Sequence, residues 1–325
     1  MNDGVDGGPV RILVAGAGAL GSVFGGLLQE AGHHVSLLAR PPHLEAIAAH
    51  GLRIDGLWGE HHVHGLQLAS VPADLHDHFA AALLTVKSYD TAATARLIAP
   101  LLAADGVVIS LQNGLGNAET IAAAVGDRVL AGRVIFGAEV IAAGHVRVTV
   151  YADPVLIGAW NGAAQLRAQA QLWAQRIAAA GIPAQYCDDI GSALWGKLLY
   201  NAALNPLGAL LGVHYGALGE HAETRAIMDR VIEETFAVAI ADGAALPWAS
   251  AAAYRAVFYE RLLPSTFDHR PSMLHDLERG RRTEIDAING AVWARGAAHG
   301  IPTPFNELLT RLVRARETVK GGRPR

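Results

Sequence analysis

Lysine is scarce in this chain: of 26 basic side chains, only Lys87, Lys197 and Lys320 are lysines. Arginine stands wherever a fixed positive charge suffices. A retained lysine therefore points to work that arginine cannot do, because an ammonium can lose and regain a proton once burial lowers its pKa. Cysteine is scarcer still. The single Cys187 excludes an internal disulfide and suits a reducing compartment. Long apolar runs are missing as well, each being broken by charge or glycine before it reaches membrane-spanning length, so no contact with a membrane is expected. The opening MNDGVDGGP is polar and acidic, unlike a signal peptide, and a cytoplasmic protein is expected. There is no basic run outside the extreme tail, and the formal net charge is -4, which argues against nucleic acid as a partner.

What is present suits a globular, soluble protein. The chain has 325 residues, 51% hydrophobic and 17% charged, enough for two domains with buried cores. Strand and helix patterns alternate in the first half, whereas from Asp189 onward the pattern is helical, near 190–212, 221–243, 248–263 and 273–299. The expected fold is an α/β N-terminal Rossmann-type domain over 9–187, followed by an all-α C-terminal domain over 188–319. Residues 1–8 and 320–325 read as flexible tails.

Residues 11–21 read RILVAGAGALG: a short buried strand, then Gly16, Gly18 and Gly21 in the spacing G-x-G-x-x-G, then a helical stretch. The first glycine permits a tight turn, the second lets the backbone approach a pyrophosphate, and the third lets helix pack on strand. The anion would rest on the free N–H groups at the helix start. A second strand, VSLLAR, ends at Arg40, where an NAD site usually carries an acid, and a cation there suits the 2′-phosphate of NADP. Further strands over 81–88 and 106–114 end at Lys87 and at Asn113, and strand C-termini are where an open parallel sheet binds its ligand. FGAEVI, HVRVTV and PVLIGAW read as edge strands of the sheet, and 52–68 as an inserted hairpin. The alternating His62 and His64 read as surface strand residues, with no partner set for a metal.

Lys197 lies in an apolar stretch, SALWGKLLYNAALNPLGALL. With Asn201 and Asn205 it follows an i, i+4, i+8 pattern, which puts all three on one face of a helix. One ammonium and two amides can grip a small polar molecule without a competing carboxylate. Pro206 follows and is expected to bend the helix. Near the end, RPSMLHDLERGRRTEIDAING places Ser272 at a helix start, where hydroxyl and N–H groups suit a carboxylate. A plain N-cap reads equally well there. Glu284 sits among arginines, and a surface ion pair is its simplest reading.

Taken together, GAGALG with Arg40, VKSYDT, LQNGLGN, KLLYNAALNPLGAL and PSMLHDLERGRRTEID resemble the ketopantoate reductase (2-dehydropantoate 2-reductase) family over nearly the whole chain. The resemblance implies NADPH-dependent reduction of the ketone of 2-dehydropantoate, a step toward pantothenate and coenzyme A. It implies that Gly16, Ala17, Gly18, Ala19, Leu20, Gly21, Arg40, Lys87, Asn113 and Glu284 bind the cofactor, NADP. It makes Lys197 the proton donor, and has Asn113, Lys197, Asn201, Asn205 and Ser272 hold the substrate. Glu284 could meet the nicotinamide ribose, the substrate or Lys197. One position departs: the family carries a further substrate-contacting asparagine after the NPL segment, and VHYGALGE (213–220) has none. The exact 2-oxo acid therefore stays open. Another oxo or hydroxy acid dehydrogenase, or a non-catalytic NADP-binding protein, are the competing readings. A homodimer is compatible with the sequence, which does not fix the oligomeric state.

Overall fold

A computed structural model describes residues 8–76, 78–160 and 164–319. Apart from Gly8, the tails expected at 1–8 and 320–325 lie outside the described residues, Lys320 among them. The chain forms two compact units. One takes in the chain up to Gln112 together with Asn117–Ile190, the other Asn113–Gly116 and the chain from Gly191 onward. Where the sequence suggests one junction at 187–188, the units join at 112–113, 116–117 and 190–191, because the turn Asn113–Gly116 packs with the helical unit.

The first unit is built on one sheet. Its strands are β1 (Arg11–Ala15), β2 (His34–Leu38), β3 (Leu52–Gly56), β4 (His61–Val63), β5 (Gln67–Ala69), β6 (Phe79–Leu84), β7 (Leu102–Ser110), β8 (Val129–Ala142), β9 (His145–Ala159) and β10 (Ala184–Tyr186). Their order is β4-β3-β9-β8-β7-β6-β1-β2-β5, with β10 paired to β9. The run β5-β2-β1-β6-β7-β8 is parallel throughout. Helices α1 (Ala19–Glu30), α2 (Pro41–His50), α3 (Thr91–Ile98), α4 (Asn117–Val125) and α5 (Ala164–Ala179) lie between the strands in sequence. Within this parallel run the strands on one side of β1 are β2 and then β5, and β6, β7 and β8 follow in chain order on its other side. The carboxyl ends of β1 and β6 are thus the switch point at which such sheets bind ligands.

The strand sequences follow from this layering. After the exposed Arg11, β1 is apolar without alternation because both its faces are covered. Ile12 and Val14 pack in a cluster with Phe24 and Leu28 of α1 and Trp173 of α5. Leu13 and Ala15 pack in another with Ile98 of α3 and Ile121 of α4.

Two expectations about the sheet change. The hairpin expected over 52–68 is β3 and β4 only, and Gln67–Ala69 instead joins β2 as β5. Because β3 pairs with β9, the strands expected at the sheet edge, β8 and β9, are interior; β4 and β5 end the strand path, and β10 lies at an edge beside β9.

The second unit is helical: α6 (Ile190–Leu211), α7 (Tyr215–Glu220), α8 (Ala222–Ala241), α9 (Ala251–Val257), α10 (Leu263–Ser265), α11 (Ser272–Glu278), α12 (Asn289–Ala298) and α13 (Pro304–Thr318). α6 continues through Pro206 and is buried along much of its length. The helix expected over 273–299 is divided. α11 ends at Glu278, Gly280 takes a φ of 62°, and a 3-10 turn at Ile285–Ala287 precedes α12. Among the described residues no helix is long and apolar enough to cross a membrane.

Candidate active site

The glycine-rich turn lies at the switch point of the first unit. Gly16 has a φ of 104°, its N–H bonds to the Leu38 carbonyl at 3.0 Å, and its own carbonyl receives the Gly18 N–H at 2.7 Å. The Thr85 hydroxyl, just beyond β6, donates to the Gly16 carbonyl at 2.7 Å. A methyl group at each glycine would meet different surroundings. At Gly16 it would come within 2.6 Å of the Val86 nitrogen, and at Gly21 within 2.4 Å of the Gly16 carbonyl oxygen, whereas at Gly18 it would meet nothing within 4 Å. The protein's own packing therefore explains Gly16 and Gly21 but leaves Gly18 unexplained. No side chain caps the start of α1, so its first N–H groups are left for an anion. The residues present fit a dinucleotide pyrophosphate.

Two further side chains edge this turn. Arg40 lies past β2 as the N-cap of α2, with Pro41 and Pro42 opening that helix. It is exposed, and among the described residues its guanidinium has no ion-pair or hydrogen-bond partner. His43, in the first turn of α2, accepts the Gly144 N–H at Nδ1 (3.1 Å), so its other nitrogen carries the proton of the neutral ring and reaches Ser22 of α1 at 3.0 Å. Burial lowers its pKa, keeping the ring neutral. His43 thereby ties the start of α2, and with it Arg40, to the glycine-rich turn. Lys87 lies three residues beyond the end of β6, half-buried, and its carbonyl accepts the Asp90 N–H.

In the second unit α6 carries Lys197, Asn201 and Asn205, and their surroundings differ. The Lys197 ammonium donates to Asn113 Oδ1 at 2.5 Å. Asn201 is 9% exposed, and among the described residues its carboxamide has no hydrogen-bond partner. Asn205 is 5% exposed, and its Oδ1 accepts the Tyr215 hydroxyl at 3.0 Å. The other faces of α6 hold Leu198, Leu199, Ala202, Ala203 and Leu204, all buried in one cluster. A polar stripe inside an apolar helix requires partners, and at Asn201 the described residues supply none.

The turn that presents Asn113 is held from behind. Gly114 has a φ of 83°, and a methyl group there would lie 2.2 Å from the Ala287 carbonyl oxygen. That same carbonyl accepts the Leu115 N–H at 2.8 Å. Ala287 closes the short turn that begins after Glu284. Glu284 is 8% exposed. Beside it, the N–H and hydroxyl of Thr283 both donate to Glu317 of α13, at 2.7 and 2.6 Å. Glu284 is therefore not the surface residue that its flanking arginines suggest, and Arg282 bonds Asp286. Ser272 is the first residue of α11, exposed, and caps nothing with its side chain.

The helical unit thus gathers Asn113, Lys197, Asn201 and Asn205 along α6, with Glu284 on the turn behind Asn113. The Rossmann-type unit holds Gly16–Gly21, Arg40 and Lys87. Reading the sequence missed Tyr215, Thr85, His43 and Glu317. Only a third dimension pairs them with their targets, although Thr85, just before the Lys87 singled out at a strand end, could have been considered.

Comparison with known proteins adds a family. The model of ketopantoate reductase PanE/ApbA matches residues 12–162, and that of its C-terminal region matches 189–317. The chain is 39% identical to a 2-dehydropantoate 2-reductase of Aquifex aeolicus, over 95% of this chain and 97% of that one. Among solved structures, a PanE/ApbA family ketopantoate reductase from Ralstonia eutropha JMP134 superposes with a TM-score of 0.83 at 37% identity, covering 94% of this chain and 98% of that one. D-mandelate dehydrogenase, solved with NADH and anilino(oxo)acetate, gives a TM-score of 0.84 at 28% identity, covering 94% and 98%.

Proposed function

Starting from the chain's membership of the ketopantoate reductase family, we propose that it reduces 2-dehydropantoate to pantoate with NADPH, a step toward pantothenate and coenzyme A. It is an oxidoreductase acting on a CH–OH or ketone group and dependent on a nicotinamide dinucleotide. The observation that carries the reading is the stripe on α6: an ammonium bonded to Asn113 at 2.5 Å, followed by a mostly buried amide with no hydrogen-bond partner among the described residues.

Bound NADPH would supply the hydride. The chain's part is to place the ketone and to manage charge and proton. As a ketone is reduced, negative charge grows on its oxygen, and a fixed ammonium both stabilises that charge and can deliver the proton. Lys197 Nζ takes this role, with Asn113 setting its direction. Asn201 and Asn205 orient the substrate's polar groups, which lowers the entropic part of the barrier. Ser272, exposed at the start of α11, is assigned to the carboxylate, and Glu284 and Lys87 to the cofactor. NADPH rather than NADH is favoured by Arg40, whose exposed guanidinium, unpaired among the described residues, suits a 2′-phosphate. A cytoplasmic setting belongs to the same proposal, supported by the single cysteine.

A second reading, reduction of a different 2-oxo acid, has one observation in its favour. The segment 213–220 offers the buried phenol of Tyr215 where the family resemblance leads one to expect an asparagine. The deciding experiment mixes purified protein with NADPH and 2-dehydropantoate and follows the loss of NADPH absorbance. Rapid oxidation, with NADH much slower, supports substrate and cofactor together. No oxidation with NADPH binding intact discards the substrate, and branched and aromatic 2-oxo acids are tried next.

A further inference from the structure

We infer that Tyr215 is a positioning residue that holds the Asn205 carboxamide with its N–H edge toward the ligand, fitting the site to an oxygen acceptor such as the carboxylate or keto group of an oxo acid. The inference rests on the proposed function and assigns a role to a residue outside the polar stripe.

Tyr215 is 3% exposed, and among the described residues its hydroxyl has one partner, Asn205 Oδ1, at 3.0 Å. A buried phenol proton must be donated or its desolvation goes uncompensated. The carboxamide oxygen therefore faces Tyr215. Flipping the amide would set Nδ2 against the phenol and leave the phenol proton without an acceptor, which settles the orientation of a group whose oxygen and nitrogen look alike. Among the described residues Asn205 Nδ2 has no protein partner, so its N–H groups are what the residue offers.

Tyr215 is itself firmly placed. Its N–H bonds to the His269 carbonyl at 3.0 Å, and the next N–H, of Gly216, to the Phe267 carbonyl at 2.8 Å. A methyl group at Gly216 would lie 2.3 Å from the Phe267 ring, so only glycine allows this approach. The Tyr200 and His269 rings flank the phenol, with centroids 5.8 and 5.1 Å away. Burial, and secondarily Tyr200, raises the phenol's pKa well above its ordinary value, so it remains a donor across the working pH range.

The test is a double-mutant cycle of Tyr215→Phe and Asn205→Ala, read as Michaelis constants for the 2-oxo acid and for NADPH, with melting temperatures recorded alongside. Tyr215→Phe keeps the ring and removes only the hydroxyl. It is expected to raise the Michaelis constant for the oxo acid roughly 3- to 10-fold, as befits one net hydrogen bond, while kcat and the NADPH constant hold. On an Asn205→Ala background the same change is expected to add nothing, because its route to the substrate is gone. A packing role alone would lower the melting temperature without this split. An unchanged Michaelis constant, or the same increase on both backgrounds, overturns the inference. A wild type that turns over no 2-oxo acid overturns the proposed function instead. The pair is then read in the resting enzyme by side-chain amide NMR, with the Asn205 signals identified by their loss in Asn205→Ala. Tyr215→Phe must shift those signals, and unmoved signals overturn the inference.

Discussion

Gly18 offers a way to separate folding from cofactor binding, because of the three motif glycines it alone has open space around it. In Gly18→Ala the new methyl meets no protein atom within 4 Å, and the residue's φ of -77° is ordinary for alanine. Alanine reduces the freedom of the unfolded chain, which stabilises by about 0.4–1 kcal/mol, and it is a poorer N-cap than glycine by a similar amount. The melting temperature should therefore stay near that of the wild type. Gly21→Ala is the contrast. Its methyl would lie 2.4 Å from the Gly16 carbonyl oxygen and 2.6 Å from the Thr85 hydroxyl, and overpacking of this kind costs about 1–3 kcal/mol. If a pyrophosphate lies over Gly18, the methyl in Gly18→Ala displaces it from the N–H groups of α1. Losing one hydrogen bond to a charged group costs about 1.5–3 kcal/mol, or about 10- to 150-fold in Kd. The assay is NADPH titration by fluorescence beside thermal melts of both variants. A Gly18→Ala protein that binds NADPH as tightly as the wild type would refute the placement of the pyrophosphate. One that melts as early as Gly21→Ala would refute the open space.

Other predictions address the rest of the site. Lys197→Ala should abolish turnover and Lys197→Arg should restore little, since a guanidinium does not release its proton; substantial activity in the arginine variant removes Lys197 as proton donor. Arg40→Ala should raise the Michaelis constant for NADPH far more than that for NADH, and an equal effect on both would count against a 2′-phosphate contact. Gly114→Ala should lower the melting temperature, because its φ of 83° and the Ala287 carbonyl 2.2 Å from the new methyl both oppose it. It should also reduce kcat by shifting Asn113 away from Lys197, and a stable, fully active variant would contradict that reading of the turn.

The sequence by itself determined the class of fold, because that information is local. An unalternating strand such as Ile12–Ala15, a G-x-G-x-x-G turn and helical spacing after Asp189 each need only near neighbours to be recognised. It also determined that Lys197, Asn201 and Asn205 share a face, since helix geometry alone puts them there. It misjudged matters that depend on distant partners. β8 and β9 look like edge strands until β3, some 90 residues earlier in the chain, pairs with β9. The stretch 273–299 looks like one helix until Thr283, anchored by Glu317 of α13, marks a break in which Glu284 is buried.

Only the tertiary structure decided what each polar side chain of the stripe faces. Asn113 meets Lys197 across 84 positions of sequence because Gly114 and Leu115 dock on Ala287. Asn205 accepts the Tyr215 hydroxyl, and Asn201 is left without a partner among the described residues. Hydrogen bonds between residues far apart in the chain have no periodic signature. They exist only once packing has fixed where each backbone segment runs, so the sequence could name the stripe but not its orientation.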